Sequence, residues 1–402
     1  MTRLAIVGLP RTGHTLVEAI AQARMRGMEV ALLDRPAALD GCLAPPAIRR
    51  IALDRPDSAA AADALRDFNP RFVVSFSEFN LVLAAEIRER LGLSGPSLET
   101  IRRTRCKHAT RLRLREQGLT RAAFAATTFV DLDETVARFE PPFVIKPACM
   151  TGSIGVHAVR RRADVVAFRE RFVSWEAEAG RDRIFVVESF IEGDEYSVEG
   201  ICHDGVFHLV AVTAKHTDGF PNFAEIGHIL PSRDCPAVDF AGFVGRVAAA
   251  LELDSTPIHA EVKVLGTEIE LIEIHARFGG DCIPLLIEKA LGYHVFGAWY
   301  DSLLGVAPPS PGPVHAIAGI RFLHPGELEP LSRSLRSRPD VDYCLQVNAF
   351  GRHGAEREAD NIRILNPRIG HIFFTADDHD AAETFFTDLD SAQPTVHSGR
   401  AA

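Results

Sequence analysis

Acidic residues recur on two adjoining apolar stretches in the second half of the chain. Glu261 lies in the first stretch and Glu273 in the second, with Leu265-Gly266-Thr267 between them. In an antiparallel hairpin with a three-residue loop, the two carboxylates share one face, and His275 projects from that face as well. Hard oxygen ligands on one rigid face suit Mg²⁺, with Mn²⁺ as the alternative ion. The spacing therefore predicts a magnesium site with Glu261 and Glu273 as its ligands.

The three-residue loop fixes the predicted register of this hairpin. Val264 then pairs with Glu268, and Glu261 faces Leu271, with Glu273 one diagonal step away. The opposite face is apolar and contains Val262, Val264, Ile272 and Ile274. A two-residue loop would break this arrangement. For either acid taken singly, solvation at the surface is the alternative, and the apolar face behind the pair argues against it.

A lysine ends a strongly apolar strand near the middle of the chain. The strand is Phe143-Val144-Ile145-Lys146-Pro147, and burial of an ammonium without a partner costs several kcal/mol. An anion is the simplest partner. The run Thr151-Gly152-Ser153-Ile154-Gly155-Val156 follows, with small residues and backbone N–H groups that could cover phosphates. Taken alone, such a loop is more often a plain turn.

Two further segments bear on a nucleotide. A strand ending in Glu188 leads into the short apolar segment Ser189-Phe190-Ile191 and then Glu195, which is a pattern that can edge an adenine. The run Gly8-Leu9-Pro10-Arg11-Thr12-Gly13 follows the first apolar stretch but fits a dinucleotide-binding pattern poorly. We interpret that run as a tight turn, and Asp34 as a helix cap or turn former.

The composition is that of a soluble globular protein with more than one core. The chain has 402 residues, of which 47% are hydrophobic and 24% are charged, so the length favours two or three domains. The formal net charge is −10, which disfavours a general nucleic-acid binder because no global positive field attracts phosphate. Anionic substrates would need local cations.

The cysteines and the apolar runs predict the compartment. The seven cysteines are scattered and never spaced as C-x-x-C, which favours a reducing cytoplasm over a zinc site or a disulfide framework. Gly8 and Pro10 interrupt the first apolar run too early for a signal peptide. No segment approaches the roughly 18 apolar residues of a membrane span. We expect a cytoplasmic protein that does not enter membranes.

The residues above need strands and turns to position them, and the hydrophobic pattern predicts these elements. Predicted strands are Leu4–Val7, Val30–Leu33, Phe72–Phe76, Ala122–Val130, Phe143–Lys146, Ile184–Val187, Tyr196–Cys202 and Val206–Thr213, and predicted helices are Thr15–Arg26, Leu98–Gly118, Leu132–Phe139 and Ala163–Trp175. The early alternation of strand and helix is typical of an α/β domain, and the later hairpins are typical of α+β. The proline-rich run 308–313 is the clearest linker. We predict domains at 1–97 and 98–307, and a strand-rich C-terminal segment at 314–402.

Taken in order, these motifs resemble the ATP-grasp superfamily of carboxylate–amine ligases. The resemblance runs from about Leu4 to Leu304 in order and spacing. It implies an N-terminal Rossmann-like (pre-ATP-grasp) domain, an ATP-grasp domain whose two α+β subdomains enclose ATP, and a C-terminal segment packed on that core. Within the superfamily, residues 221–231 and 275–281 are similar to the branch of bacterial L-amino-acid (dipeptide) ligases.

The resemblance implies roles for the matching residues. The ATP contacts would be Lys107, Lys146, Thr151, Gly152, Ser153, Gly155, Glu188, Ser189, Phe190, Ile191 and Glu195. The two lysines would contact the α- and β-phosphates as point charges, and the glycine loop would close over the β- and γ-phosphates. Glu188 would accept a hydrogen bond from the adenine amino group, the Phe190–Ile191 backbone would flank the adenine edge, and Glu195 would hold the ribose hydroxyls.

The remaining roles concern the metal and the substrates. Glu261 and Glu273 would hold magnesium, and Arg277 would face the transferring phosphoryl group and the acyl phosphate. The position of His275 usually holds Asn in such proteins, and imidazole suits Mg²⁺ less well than an amide oxygen does. His275 is therefore expected to orient a substrate carboxylate or a water. The acceptor substrate would lie near His228, Gly279 and Gly280.

Side chains around the acceptor region remain open on sequence grounds. For His228, substrate contact and structural hydrogen bonding are equally supported, whereas Lys215 and His216 are expected to be exposed. A structural acid such as Asp281 is the alternative partner for Arg277.

The resulting hypothesis is an ATP-dependent ligase. It would activate a small-molecule carboxylate as an acyl phosphate and join it to an amine, an amino acid, with release of ADP and phosphate. The alternatives are another ATP-grasp ligase, similar to biotin carboxylase or glycinamide ribonucleotide synthetase, and a catalytically silent nucleotide-binding regulator. Dimerisation is common among such proteins, which makes a homodimer an expectation.

Overall fold

Three β-sheets carry the architecture of the chain. They are seen in a computed structural model, which describes residues 1–10, 13–55, 57–179, 183–220, 223–324, 341–347 and 368–391. One sheet is parallel and the other two are antiparallel. The predicted combination of α/β and α+β structure is confirmed.

The first sheet is parallel and has the strand order β3-β2-β1-β4. Its strands are β1 (Thr2–Val7), β2 (Met28–Asp34), β3 (Arg49–Ala52) and β4 (Phe72–Val74), and its helices are α1 (Gly13–Met25), α2 (Pro36–Asp40), α3 (Ser58–Leu65) and α4 (Leu81–Leu91). Helices cover β1, β2 and β4, which explains why these three strands are mostly apolar runs, whereas the edge strand β3 is largely exposed. The Asp34 carboxylate accepts a hydrogen bond from the Leu9 N–H at 2.7 Å. Asp34 thus holds the turn after β1, which agrees with a structural role, but it does not cap α2, whose N-cap residue is Arg35.

The second sheet is antiparallel and has the order β5-β8-β6-β7. Its strands are β5 (Phe124–Thr127), β6 (Phe143–Pro147), β7 (His157–Val159) and β8 (Phe185–Ser189), and the nearby helices are α5 (Leu98–Thr104), α6 (Lys107–Glu116), α7 (Leu132–Val136) and α8 (Asp164–Ala179). Its core is rich in phenylalanine and includes Phe143, Phe168 and Phe185. The predicted helical stretch 98–118 is divided at Arg105-Cys106, so a new helix begins at Lys107.

The third sheet has eight strands in the order β13-β12-β9-β10-β11-β14-β16-β15. The strands are β9 (Asp194–His203), β10 (Val206–Thr217), β11 (Glu225–Leu230), β12 (Thr256–Leu265), β13 (Glu268–His275), β14 (Ile317–Leu323), β15 (Val341–Val347) and β16 (Gly370–Ala376). The helices are α9 (Phe240–Ala250), α10 (Ile283–Leu291), α11 (Val295–Leu303) and α12 (His379–Ser391).

The third sheet continues across the proposed boundary at 307/314. Strand β14 pairs with β11, and β16 pairs with β14, so strands from both sides share one ladder. The limits 1–97, 98–307 and 314–402 remain our proposal, and 325–340, 348–367 and 392–402 lie outside the described residues. Among the described helices, none combines the length and the apolar character needed to cross a membrane.

Candidate active site

An open cleft of about 800 Å³ is lined by both antiparallel sheets. Eleven of the predicted site residues line it: Lys107, Lys146, Gly152, Ser153, Glu188, Ser189, Phe190, Ile191, Glu195, Glu261 and Glu273. Residues up to 166 positions apart in sequence therefore meet at one concave surface.

The other predicted residues lie beside the cleft and do not line it: Thr151, Gly155, His228, His275, Arg277, Gly279 and Gly280. Thr151 and Gly155 belong to the glycine loop. His275 ends β13, and its ring is buried. The Gly279 N–H donates to the Glu199 carboxylate at 3.3 Å. His275 still contacts the site indirectly, since its Nε2 lies 3.4 Å from Glu273, which lines the cleft.

The predicted register of the β12–β13 hairpin is wrong. Leu265 pairs with Glu268, so the loop contains two residues, Gly266 and Thr267. The pairing shifts farther along the ladder, between Val262 and Glu261. This irregularity adds one residue on β13, which offsets the shorter loop. Glu261 and Glu273 consequently stand directly opposite each other, on one face.

The same β-bulge changes which of two neighbouring apolar residues faces the core. Leu271 packs in the core with Val262 and Ile274, whereas Ile272 lines the cleft beside the carboxylates. The prediction that Ile272 belongs to the opposite apolar face is therefore wrong. A bulge has no clear signature in this run of alternating residues, because Ile272 and Leu271 are equally apolar.

The Glu273 carboxylate is paired with a lysine from α6. Lys107 Nζ lies 2.7 Å from Glu273 Oε1 and also donates to the Met150 carbonyl oxygen. The backbone N–H of Lys107 donates to the Ala148 carbonyl at 2.8 Å. These contacts connect the first turn of α6 to the segment that leads into the glycine loop.

Lys215 is buried, which contradicts the expectation that it is exposed. Its ammonium lies 2.8 Å from Glu195, 2.9 Å from Glu225 and 2.9 Å from Glu261, and its side chain is 2% exposed. Burial lowers the pKa of Lys215, but the three carboxylates outweigh burial and hold this pKa well above its usual value. Alternation along β10 puts Lys215 on the same face as Thr213, which is fully buried. This alternation along β10 is the sequence signal from which the burial of Lys215 could have been predicted.

A second buried ion network surrounds Lys146. Its ammonium lies 2.7 Å from Glu188, whose two carboxylate oxygens also accept from Arg111 at 3.0 and 3.2 Å. Burial alone would raise the pKa of Glu188, but Arg111 and Lys146 lower it to about 2. Burial lowers the pKa of Lys146. Glu188 therefore anchors two cations, and its predicted contact with adenine stays a prediction.

The glycine loop leaves the sheet in a conformation that favours glycine. Gly152 and Gly155 have φ values of +66° and +76°, and Ser153 between them has +56°. The Ser153 hydroxyl donates to the Phe223 carbonyl at 3.0 Å. Ile154 packs in the phenylalanine-rich core. The loop is thus anchored at its centre while Gly152 and Ser153 line the cleft.

Two aromatic residues, Phe190 and Phe223, also line the cleft. The Phe190 and Phe223 ring centroids are 5.8 Å apart, and Lys263 Nζ lies 4.8 Å from the Phe190 centroid. The Phe190 N–H donates to the Pro142 carbonyl at 3.2 Å. This N–H is therefore not free to bind an adenine edge, and the contacts of the Phe190 carbonyl and of the Ile191 backbone with adenine stay predictions.

Sequence reasoning missed Glu78, which follows β4. Its carboxylate accepts from Arg277 at 2.7 Å and lies 3.0 Å from His275 Nδ1 and 3.2 Å from Arg105. Burial opposes ionisation of Glu78, but these three cationic partners hold its pKa well below the usual range. The partner of Arg277 is therefore Glu78 and not Asp281, which pairs with Arg368 at 2.8 Å. No local motif marks Glu78, because its partners lie far along the chain.

Two stacked histidines stand behind the opposed carboxylates. His259 and His275 pair across β12 and β13, with ring centroids 5.7 Å apart. His259 Nδ1 lies 2.5 Å from Glu199, and its Nε2 lies 3.4 Å from Glu261. His275 Nε2 lies 3.4 Å from Glu273. Burial opposes protonation of His259, but Glu199 raises its pKa to about 9. Each imidazole thus connects a carboxylate of the hairpin to a deeper one.

His228 occupies a second charged cluster next to Lys215. Its Nε2 lies 3.9 Å from both Glu225 and Asp281, and its ring is 1% exposed. Arg368 contacts the same two carboxylates, at 3.3 and 2.8 Å. Glu225, His228 and Asp281 also approach one another closely enough to share a cation. A substrate contact of His228 stays a prediction.

Comparison with known proteins defines the class. Residues 139–285 match the family model of the ATP-grasp domain, so the chain contains an ATP-grasp domain. The structure of an L-amino acid ligase from Bacillus licheniformis superposes with a TM-score of 0.74 at 21% identity, covering 98% of each chain. An ADP complex of an N5-carboxyaminoimidazole ribonucleotide synthetase gives a TM-score of 0.73 at 16% identity, covering 97% and 96%. The chain thus shares the fold of these two proteins over nearly its whole length.

One curated relative indicates a narrower likeness. An alanine–anticapsin ligase from Bacillus subtilis is 26% identical over 260 residues, which cover 58% of this chain and 52% of that protein. The chain spans about half the length of the curated relatives it matches.

Glu188 provides a test of the buried ion network. Glu188→Gln leaves Arg111 and Lys146 with one carboxylate fewer, so we expect the free energy of unfolding at pH 7 to fall by roughly 3–5 kcal/mol. The native pKa of about 2 lies below the ordinary value of about 4.3. The Glu188 contribution is therefore fully present above about pH 4.3 and is lost as the pH falls through 2.

Urea unfolding at pH 7 and pH 3 measures both effects. The difference between wild type and variant should shrink at the lower pH. Glu134→Gln is the matched control, because Glu134 pairs with Arg138 at an exposed site, where such pairs contribute at most about 1 kcal/mol. Equal stability of Glu188→Gln and wild type at pH 7 would show that the carboxylate does not anchor the two cations.

Proposed function

We propose that the chain is an ATP-dependent ligase that converts a carboxylate to an acyl phosphate and joins it to an amine, forming an amide. The observation that carries the proposal is the direct opposition of Glu261 and Glu273 at the end of a cleft that also holds Lys107 and Lys146. Carboxylate and amine are an anion and a cation at pH 7, and neither attacks the other. Phosphorylation of the carboxylate supplies the missing leaving group.

The cleft is suited to a nucleoside triphosphate. Lysines and the glycine loop line it together with apolar and aromatic residues, and these two kinds of lining suit a triphosphate and a base. Glu195 also lines the cleft and would hold the ribose hydroxyls. The ADP complex of a protein with this fold supports the choice of nucleotide.

The donor set of the hairpin fits a magnesium ion. Glu261 and Glu273 offer carboxylate oxygens from opposite positions on two adjacent strands, and Mg²⁺ commonly takes one or two carboxylates together with phosphate oxygens and waters. A bound Mg²⁺ would neutralise charge on the β- and γ-phosphates. His275 is held by Glu78 on its other nitrogen, which suits a role in orienting Glu273.

The lysines would exchange one anion for another when ATP binds. Lys107 contacts Glu273, and Lys215 contacts Glu261. Phosphate oxygens can replace these carboxylates as partners of the ammonium groups. The freed carboxylates then become available to the metal. Lys146 keeps Glu188 as its buried partner, which fixes its ammonium toward the cleft.

Arg277 would face the phosphoryl group and the acyl phosphate. Glu78 holds its Nε at 2.7 Å, which orients the planar guanidinium and leaves other N–H groups to donate. Charge on the phosphoryl oxygens is redistributed during transfer, so an arginine fixed in advance stabilises the transition state. His228, Gly279 and Gly280 would border the amine substrate.

The substrates and the setting complete the proposal. The alanine–anticapsin ligase and the L-amino acid ligase that resemble this chain are named for amino-acid substrates, which supports an amino acid as the amine. We also propose a cytoplasmic location and a homodimer, with no nucleic-acid or membrane partner.

Two alternatives make different predictions. Another ATP-grasp ligase, similar to biotin carboxylase or glycinamide ribonucleotide synthetase, would form ADP with bicarbonate and biotin or with a ribosylamine. A silent nucleotide-binding regulator would form none. The retained pair Glu261 and Glu273, together with Arg277, argues against the regulator, because binding alone does not need a clamp for phosphoryl transfer.

A screen of paired amino acids for phosphate release tests the proposal. We expect ATP-dependent phosphate release with at least one pair, together with an equal amount of amide product by mass spectrometry. Bicarbonate with biotin is the comparison reaction. Phosphate release with bicarbonate alone, or no release with any pair while ATP binds, would contradict the proposal.

Glu273→Gln tests the metal assignment. The amide keeps the shape of the side chain but removes the charge that would hold magnesium, so we expect turnover to fall by about 100-fold or more, with a smaller effect on ATP affinity. Calorimetric titration of ATP with and without Mg²⁺ supplies the second readout, since the variant should lose the magnesium-dependent part of binding. Glu268→Gln, at an exposed position on the same strand, is the control. An unchanged magnesium dependence in Glu273→Gln would remove this residue from the metal site.

A further inference from the structure

Two cysteines meet where α6 approaches the glycine loop. Cys106 is the N-cap residue of α6 and directly precedes Lys107. Cys149 is exposed and lies two residues before Thr151. The backbone hydrogen bond from Lys107 to Ala148, at 2.8 Å, brings the two segments together, so the residues next to these two positions, Cys106 and Cys149, are neighbours, and their thiols interact.

The surroundings of Cys106 favour the thiolate. The neighbouring Cys149 thiol lowers the pKa of Cys106, and burial opposes this effect. The backbone N–H groups of Ala109 and His108 add to the lowering, so the pKa of Cys106 falls to about 5. Cationic surroundings and helix N-termini are typical of reactive cysteines. Burial raises the pKa of Cys202 and Cys282 to about 12, which makes these two thiols inert by comparison.

We propose that Cys106 and Cys149 are a reversible oxidation site that takes a hydroperoxide as its oxidant and controls nucleotide binding. The Cys106 thiolate attacks one peroxide oxygen, the O–O bond breaks, and Cys106 becomes a sulfenic acid. The Cys149 thiol then attacks the sulfenic sulfur, forming the S–S bond and releasing water. With hydrogen peroxide, the two thiols lose two electrons and two protons in total, and the peroxide becomes two water molecules.

The disulfide would constrain the residues on either side of it. Lys107 follows Cys106, and its ammonium donates to the carbonyl of Met150, which follows Cys149. A bond between residues 106 and 149 would hold this lysine on Met150 and fix the start of the glycine loop. ATP binding, in the function proposed above, requires Lys107 to turn to the phosphates and the loop to close. We therefore expect oxidation to weaken ATP binding.

Peptide mapping and calorimetry test the two parts separately. The full chain is treated with a few equivalents of hydrogen peroxide at pH 7, alkylated and cut after glutamate, which places the two cysteines on separate peptides, 100–116 and 135–170. We expect these peptides to be joined by a bond that dithiothreitol breaks. Titration with ATP and Mg²⁺ should give a dissociation constant about 10-fold higher for the oxidised protein, restored by reduction.

Three single variants provide the controls. Cys106→Ser and Cys149→Ser should prevent the crosslink and keep ATP affinity independent of peroxide. Cys106→Ser also removes the thiolate charge without forming a crosslink. Its ATP affinity therefore shows whether the constraint of the disulfide or the loss of this charge weakens binding. Cys235→Ser, at an exposed cysteine elsewhere, should behave as wild type.

The results that overturn the inference are distinct from failure of the proposed function. Joining of other cysteines in preference to this pair overturns the oxidation site. Equal ATP affinity of the reduced and the crosslinked protein overturns the control of nucleotide binding. If the reduced protein binds no ATP, the proposed function fails and with it the control of nucleotide binding, while the crosslink still decides whether the oxidation site exists.

Discussion

Glu261 and Glu273 oppose each other across β12 and β13, where two negative charges in register repel. Both side chains are largely buried, so solvent screens this repulsion only in part. Lys215 and Lys107 compensate the charges at 2.9 and 2.7 Å. This requirement explains why β10 brings an ammonium into the interior and why α6 begins at a lysine. The cleft lies where β10, α6 and the β12–β13 hairpin come together.

The compensation also connects the site to the parallel sheet. Glu78 follows β4 and binds His275 and Arg277, which follow Glu273 on the chain. His259 carries a similar contact from Glu199 to Glu261. Glu261 and Glu273 thus each contact one lysine and one imidazole. Such fixed surroundings preorganise a charged site, because little rearrangement is left for the moment of reaction.

Sequence patterns predicted the elements and the site well where the signal was local. The apolar runs predicted three of the four parallel strands and missed β3, which is not apolar. The order of Lys146, the glycine loop and Glu188 predicted most of the cleft lining. The predicted register of the hairpin was wrong because a bulge at Ile272 offsets a shorter loop. Neither the bulge nor the shorter loop can be recognised in a run of alternating residues. Glu78 was missed because its partners His275 and Arg277 are 197 and 199 positions away, and Arg111 because Glu188 is 77 positions away. Lys215 was misjudged because a lysine usually marks an exposed face, although strand alternation put it on a buried one.

The central claim is that the carboxylate of one substrate attacks the terminal phosphorus of ATP. Labelling that carboxylate with oxygen-18 tests this step directly, once a substrate pair is known from phosphate release. If an acyl phosphate forms, each phosphate released carries one labelled oxygen, and the amide retains the other. Amide formation with unlabelled phosphate would contradict the acyl phosphate and with it the roles given to Glu261, Glu273 and Arg277.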